Sequence, residues 1–186
     1  MRHGESTDDI SNSYGGWADF PLTEKGRNQS KDASKSLKKY KIDLILSSPL
    51  KRAFETAEIA GKELNVPVMK WLYLKERNTY GLMCGERKSD MEKDYPELFT
   101  SYENGEFVMG SERYEDLHER LKVMIKKLPE FKKNCILAVT HGKVLACLCK
   151  EFLGKEIDKK EDCSFLKVEL SGGKLKYISA SGMSFK

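Results

Sequence analysis

The sequence predicts an α/β fold, with a mostly parallel sheet covered by helices on both faces. Three observations predict it. Short apolar runs recur along the chain: IDLILS at 42–47, VPVMKW at 66–71 and CILAVT at 135–140. Segments with apolar residues at three- and four-residue spacing separate them, and strands that alternate with helices return in parallel register. The 186 residues are 39% hydrophobic and 33% charged, a mixture that folds around a core rather than staying disordered. That length suits one domain, so a single domain over 1–186 is expected.

Each element has its own signal. Residues 1–22 are rich in Gly, Ser, Asn and Asp and read as irregular. Thr23 is a plausible cap for a helix running to Lys39, with Ala33 and Leu37 facing inward. Residues 42–47 form a buried strand. Ser48 then reads as the next helix cap, with Pro49 at the first helical position. Ala53, Ala57, Ala60 and Leu64 continue that helix. A second short strand follows at 66–71, then a long loop over 72–88 that we expect to be functional. Residues 89–104 read as helical with a break near Pro96. Leu117, Leu121, Met124, Leu128 and Phe131 line one face of an amphipathic helix. Residues 135–140 are the clearest buried strand, and an apolar helix runs from Gly142 through Leu153. A hairpin closes the chain, with strands at 164–170 and 175–179 around Ser171-Gly172-Gly173.

Composition excludes several function classes. The net charge of +4 is dispersed, with acids near the Lys38-Lys39 and Lys159-Lys160 pairs, so nucleic acid is not an expected partner. No apolar run approaches the roughly 20 residues of a membrane helix, and no secretion leader opens the chain. The five cysteines are odd in number and mostly in apolar surroundings, which predicts reduced thiols and a cytoplasmic location. Cys147-Leu148-Cys149 lacks the second pair that a zinc site needs. The three histidines, His3, His118 and His141, contain neither HxH nor HExxH, so no metal is expected. His118, on the apolar stripe of a helix, reads as structural.

Three segments carry the chemistry: Met1 to Ser6 (MRHGES), Ser47 to Ala53 (SSPLKRA) and Val139 to Gly142 (VTHG). The second and third lie where a strand gives way to a helix, the edge at which open α/β sheets bind ligands. Helix amino termini there favour anions. Arg52 and His141 are therefore expected in one cleft, joined by Arg2 and His3 if the amino-terminal segment enters the same sheet. Two arginines and two histidines make a phosphate trap. Arginine offers a planar fork for two oxygens, one neutral imidazole can attack phosphorus, and the other can donate to the phosphoryl oxygens.

With RHGES at 2–6, GWADFPLTEKG at 16–26, SSPLKRAFETA at 47–57, LKER…YG at 74–81 and VTHG at 139–142, the chain resembles the histidine phosphatase superfamily, which includes the phosphoglycerate mutases. The similarity covers nearly the whole chain in order. It implies a phosphoglycerate mutase-like three-layer αβα sandwich and phosphomonoester hydrolysis without metal or cofactor. It further implies that His3 becomes phosphohistidine, that Arg2, Arg52 and His141 clamp the phosphate, and that Glu76 is the proton donor. Gly16 and Thr23 would edge the pocket, and Tyr80 and Lys88 would help hold a small phosphorylated metabolite.

The sequence departs from the family pattern at four points. Relatives carry an apolar strand before RHG, whereas only Met1 stands there, so that strand is expected to be missing. An Asn six residues after the nucleophile is replaced by Asp9, and Asn12 is the nearest candidate to reach the phosphate. Glu76 to Gly81 is one residue longer than usual. No adjacent arginine pair exists, Arg87-Lys88 being the nearest, which favours a phosphatase over a mutase. A phosphoglycerate mutase and an inactive phosphate-binding module remain the alternatives.

Overall fold

The computed structural model describes residues 1–186. Three parallel strands, β1 (Leu44–Ser47), β2 (Val68–Lys70) and β3 (Ile136–Val139), pair in the order β2-β1-β3, with Ile45 opposite both Val68 and Leu137. Every residue of β1 is buried. That is the expected fate of a central parallel strand, whose two faces must both be covered.

Side-chain alternation along β1 builds two cores. Ile45 joins Leu37, Ala53, Ala57, Ala60, Leu137 and Val139 on one face, under α2 (Glu24–Leu37) and α3 (Lys51–Leu64). Leu44 and Leu46 point the other way and join Leu117, Leu121, Met124, Ile125, Val144 and Cys147, under α6 (Tyr114–Lys127) and α7 (Gly142–Leu153). The period-two pattern of one strand thus produces the three-layer αβα sandwich expected from the sequence. Alanines at 53, 57 and 60 let α3 lie close to the sheet. A third, smaller cluster of Tyr14, Met83, Met91 and Val108 supports the outer segment, which includes α4 (Lys88–Asp94) and α5 (Pro96–Glu103).

No named strand precedes Arg2, yet the first residues are bonded in place. Met1 to His3 lies between β3 and the closing hairpin. Arg2 bridges Thr140 in parallel. Thr140 N–H donates to Met1 O (2.8 Å) and His3 N–H to Thr140 O (3.0 Å). On the other side Arg2 N–H donates to Ser164 O (2.8 Å) and Cys163 N–H to His3 O (3.2 Å). Three residues therefore stand in the central position, and His3 is anchored on both flanks.

Other boundaries shift for physical reasons. The irregular stretch 1–22 contains α1 (Thr7–Ser11), five residues closed by a capping box of Ser6 with Asp9 and by left-handed Asn12. Thr23 does cap α2, accepting from Gly26 N–H at 2.9 Å. Ser48 is not the cap of α3; the helix starts at Lys51, and Leu50, with extended backbone, holds the cap position, while the Ser48 hydroxyl lies 2.7 Å from His141 Nε2. Pro96 opens α5 after a break at Tyr95. The amphipathic helix ends at Lys127 and tightens into a 3-10 turn over Leu128–Phe131, since Pro129 has no N–H to continue it. The hairpin is longer than expected, pairing β4 (Ile157–Ser171) with β5 (Lys174–Phe185). Its Gly172-Gly173 turn has positive φ at both residues, as a tight primed turn requires. No helix is long and apolar enough to cross a membrane.

Two glycines let α2 dock on the amino-terminal segment. A Cβ on Gly4 would lie 2.5 Å from Gly26 O, and one on Gly26 would lie 2.0 Å from Glu5 O. Both obstacles are backbone and cannot rotate aside. Gly26→Ala is expected to destabilise the fold by about 2 kcal/mol, within the usual range for overpacking. Urea unfolding midpoints check this; an unchanged midpoint would show that the helix slides away freely.

Candidate active site

The amino-terminal segment, the start of α3 and the start of α7 converge as expected. His3 and His141 have ring centroids 5.0 Å apart at 61°. His3 is 5% exposed, His141 0% and Arg52 2%.

His3 Nδ1 lies 2.7 Å from Gly4 O. A carbonyl only accepts, so Nδ1 carries the proton and Nε2 is left as the free lone pair of the neutral ring. Gly4 is itself fixed, its N–H donating to Thr56 Oγ1 at 3.1 Å. Burial, and then the Arg52 and Arg2 guanidiniums, push the His3 pKa well below its ordinary value. The imidazole is therefore neutral and available as a nucleophile near neutral pH.

His141 caps α7, and its Nε2 sits 2.7 Å from Ser48 Oγ. Ser48 Oγ also accepts from Leu50 N–H (3.3 Å) and keeps its own proton to give to His141 Nε2. Nδ1 is buried without a partner, and in the tautomer in which Ser48 donates to Nε2 it carries the N–H. Burial followed by the Arg52 charge holds His141 neutral as well.

Arg52 reaches back to the 16–18 loop, donating from one terminal nitrogen to Ala18 O and from the other to Gly16 O, both at 2.9 Å. Gly16 sits at φ 45°, with Cys84 Sγ 2.5 Å from where a Cβ would stand, so the loop fits there only as glycine. Two of the five guanidinium N–H groups are used, which leaves three. Arg2 sits at the edge of the group, its terminal nitrogen 3.1 Å from Asp162 Oδ1 and its Nε buried without a partner.

Glu76 lies at the amino end of α7. Oε1 accepts from Arg77 N–H (2.8 Å) and Oε2 from Lys143 N–H (3.3 Å). Burial raises its pKa despite these bonds and the Arg52 charge, which suits a carboxyl that must hold and release a proton. The segment carrying it is clamped by Arg120, which donates to Tyr73 O and Lys75 O (2.7 Å each) and more weakly to Glu76 O (3.4 Å). Glu112 orients Arg120 through two bonds of 2.9 Å. Trp17 Nε1–H donates to Glu76 O at 2.7 Å from the opposite side.

The other expected residues divide. Tyr80 stands at the cleft, packed on Tyr14 and Tyr102, with Lys143 Nζ 4.3 Å from its ring centroid. Thr23 donates to Glu5 Oε1 (2.8 Å) while it caps α2, so its hydroxyl is spent on the scaffold. Asn12 and Lys88 are exposed. Asn12 is bound to the Lys88 backbone (3.2 Å) rather than to any histidine, because α1 ends there in the left-handed cap. Asp9 is occupied with Ser6 N–H (3.0 Å). The sequence does not mark Ser48, Arg120 or Lys143 as site residues. Ser48 has the pattern of a helix cap, Arg120 is hidden in an ordinary amphipathic helix, and Lys143 follows VTHG with no motif of its own. His118 packs on Phe152 at 5.3 Å, and all five cysteines are free.

The histidine phosphatase superfamily (branch 1) model matches residues 1–179. The chain belongs to this superfamily. It is 32% identical over 155 residues to the uncharacterized phosphatase PhoE of Bacillus subtilis, spanning 83% of this chain and 76% of that protein. It is 30% identical to a 2,3-bisphosphoglycerate-dependent phosphoglycerate mutase of Buchnera aphidicola, over 94% and 89% of the two chains. Among solved structures, Bacillus stearothermophilus YhfR superposes with a TM-score of 0.81 at 26% identity, covering 95% of this chain and 92% of its own. The α-ribazole phosphatase of Shigella flexneri shares the fold, with a TM-score of 0.79, 22% identity and coverage of 96% and 92%.

Two predictions follow from this geometry. Arg120→Gln frees three carbonyls and leaves Glu112 unpaired, so it should destabilise the protein by about 3 kcal/mol and lower kcat by loosening Glu76; melting and kinetics check both. Second, the two histidines have folded pKa values below the ordinary 6.5. The unfolded chain therefore binds more protons below pH 6.5, and their contribution to stability is complete above that pH and lost as it falls. The urea midpoint should drop between pH 7.5 and 5, and drop less in His141→Asn; equal drops would clear His141 of the effect.

Proposed function

We propose that this chain hydrolyses phosphomonoesters through a phosphohistidine on His3. The observation that carries the reading is the state of His3: neutral, its Nδ1–H given to Gly4 O, its Nε2 free, beside His141 and Arg52. In the first step Nε2 attacks phosphorus and the bond to the ester oxygen breaks. Glu76 gives its proton to the departing alkoxide. The three remaining N–H groups of Arg52 and the unpartnered His141 Nδ1–H stabilise the phosphoryl oxygens. Arg2 adds a third positive group from the Asp162 side. In the second step Glu76 takes a proton from water, the water oxygen bonds to phosphorus, and the N–P bond breaks to return neutral His3 and phosphate.

The roles are uneven. Glu76, Arg52, His3 and His141 form one set. Tyr80 borders the leaving-group side. Asn12, Thr23 and Lys88 have no part in the step. The free thiols fit a reducing, cytoplasmic setting. Small phosphorylated metabolites are the substrates that suit a cleft closed by the 16–18 loop and Trp17. No step of this scheme calls on a metal.

The first test is phosphate release from p-nitrophenyl phosphate in EDTA. The parent protein should turn over and His3→Ala should not, with an unchanged circular dichroism spectrum. Turnover by His3→Ala would end the phosphohistidine reading. Glu76→Gln should slow alkyl phosphates at least about tenfold more than aryl phosphates, whose leaving groups need no proton. The match to a phosphoglycerate mutase supports a second reading, in which the trapped phosphoryl group passes to phosphoglycerate faster than to water. Chasing the labelled phosphoenzyme with phosphoglycerate decides between them.

A further inference from the structure

The leaving-group side of Glu76 holds a cation that the hydrolytic scheme does not use. Lys143 occupies the first turn of α7, two residues after His141. Its Nζ donates to Thr79 Oγ1 and rests 4.3 Å from the Tyr80 ring centroid. It is half-buried and has no carboxylate within ion-pair distance.

An ammonium withdrawn from water without an anion is costly. Its aliphatic stem could have carried the charge out to solvent, as most surface lysines do. The neighbourhood adds to the demand. Arg77 and Lys160 bring positive charge towards Lys143, and Glu76 with the Cys84 thiol is the acidic side. The Lys160 stem folds over Gly142, its Cε 2.9 Å from where a Cβ would stand. Neither Arg77 nor Lys160 has an ion pair. Glu76 itself is a poor counter-ion, because in the scheme above it enters the reaction protonated. The cleft is thus short of negative charge on the side where the leaving group lies.

We infer that Lys143 selects the substrate by a second negative charge, a carboxylate or a further phosphate on the leaving group, beyond the ester that is cleaved. The direction from scissile phosphate to leaving group rests on the roles proposed above for His3 and Glu76. The ammonium spans from Thr79 to the Tyr80 face and keeps one donor for that anion. Burial, which lowers the Lys143 pKa, also strengthens the pair once the anion arrives. A neutral leaving group of the same shape leaves the charge unmatched.

Two pairs of probes read this charge. 3-Phosphoglycerate and glycerol 3-phosphate differ by a carboxylate, and fructose 1,6-bisphosphate and fructose 6-phosphate by a phosphate. For each pair the ratio of kcat/KM is measured in the parent protein, Lys143→Met and Lys143→Arg. The parent should favour the anionic member of at least one pair about tenfold or more, equivalent to about 1.4 kcal/mol. Lys143→Met should bring that ratio below about threefold, and Lys143→Arg should keep most of it. The pair that responds names the anion. No preference in either pair, or a preference that Lys143→Met leaves intact, overturns the inference. Calorimetric affinities of the same probes for His3→Ala, with and without Lys143→Met, give the ratio without turnover. If no probe is hydrolysed, the affinity ratio alone decides on Lys143, and turnover of p-nitrophenyl phosphate decides separately on hydrolysis. Lys143→Gln replaces the methionine variant if that chain fails to fold.

Discussion

The structure depends on how three residues are held. Met1 to His3 is hydrogen-bonded to Thr140 on one flank and to Cys163 and Ser164 on the other, while Gly4 presses against Gly26 and binds Thr56. In the proposed reaction His3 must be fixed to a fraction of an ångström to act as the nucleophile. Here that fixity comes from backbone rather than side-chain contacts, so it does not rely on the identity of many neighbours. The parallel sheet supplies Thr140, the hairpin supplies Cys163, and the first long helix supplies Gly26. The sheet, the hairpin and one helix thus each restrain the segment that carries the histidine.

The electrostatics follow from that burial. Two imidazoles and an arginine share a dry site, and the cheapest way to keep the guanidinium there is to leave both imidazoles neutral. The same desolvation raises the Glu76 carboxyl. One physical cause therefore sets base and acid in opposite directions, as a mechanism needing a free nitrogen and a held proton demands. The arrangement is kept in register by Arg120 and Ser48, neither of which touches the reacting atoms in the scheme.

Much of this was legible in the sequence because the relevant signals are local. VTHG and SSPLKRA each join a strand end to a helix start, so Arg52 and His141 could be placed in one cleft without a structure. The αβα layering was legible because short apolar runs alternate with helical segments; the structure adds that LILS sends alternate side chains into opposite cores. Other features were not legible because they are long-range. Nothing around Arg120 reveals that its fork meets carbonyls more than 40 positions away. Ser48 fits the rule for a helix cap, yet the extended backbone at Leu50 delays the helix by two residues and leaves the Ser48 hydroxyl beside His141. Asn12 carried the right side chain at nearly the right spacing, yet the left-handed end of a five-residue helix turned it to solvent. The placement of Met1 to His3 was hidden for a different reason: so few residues show no period.

Arg52 has a further consequence for the catalytic cycle. Each of its terminal nitrogens gives one N–H to the Gly16 or Ala18 carbonyl and keeps the other. An arriving phosphate must share that arginine with the 16–18 loop, and a departing one leaves the guanidinium still partnered. The loop thus holds the guanidinium in one orientation throughout the proposed cycle, so that arginine needs no rearrangement between turnovers.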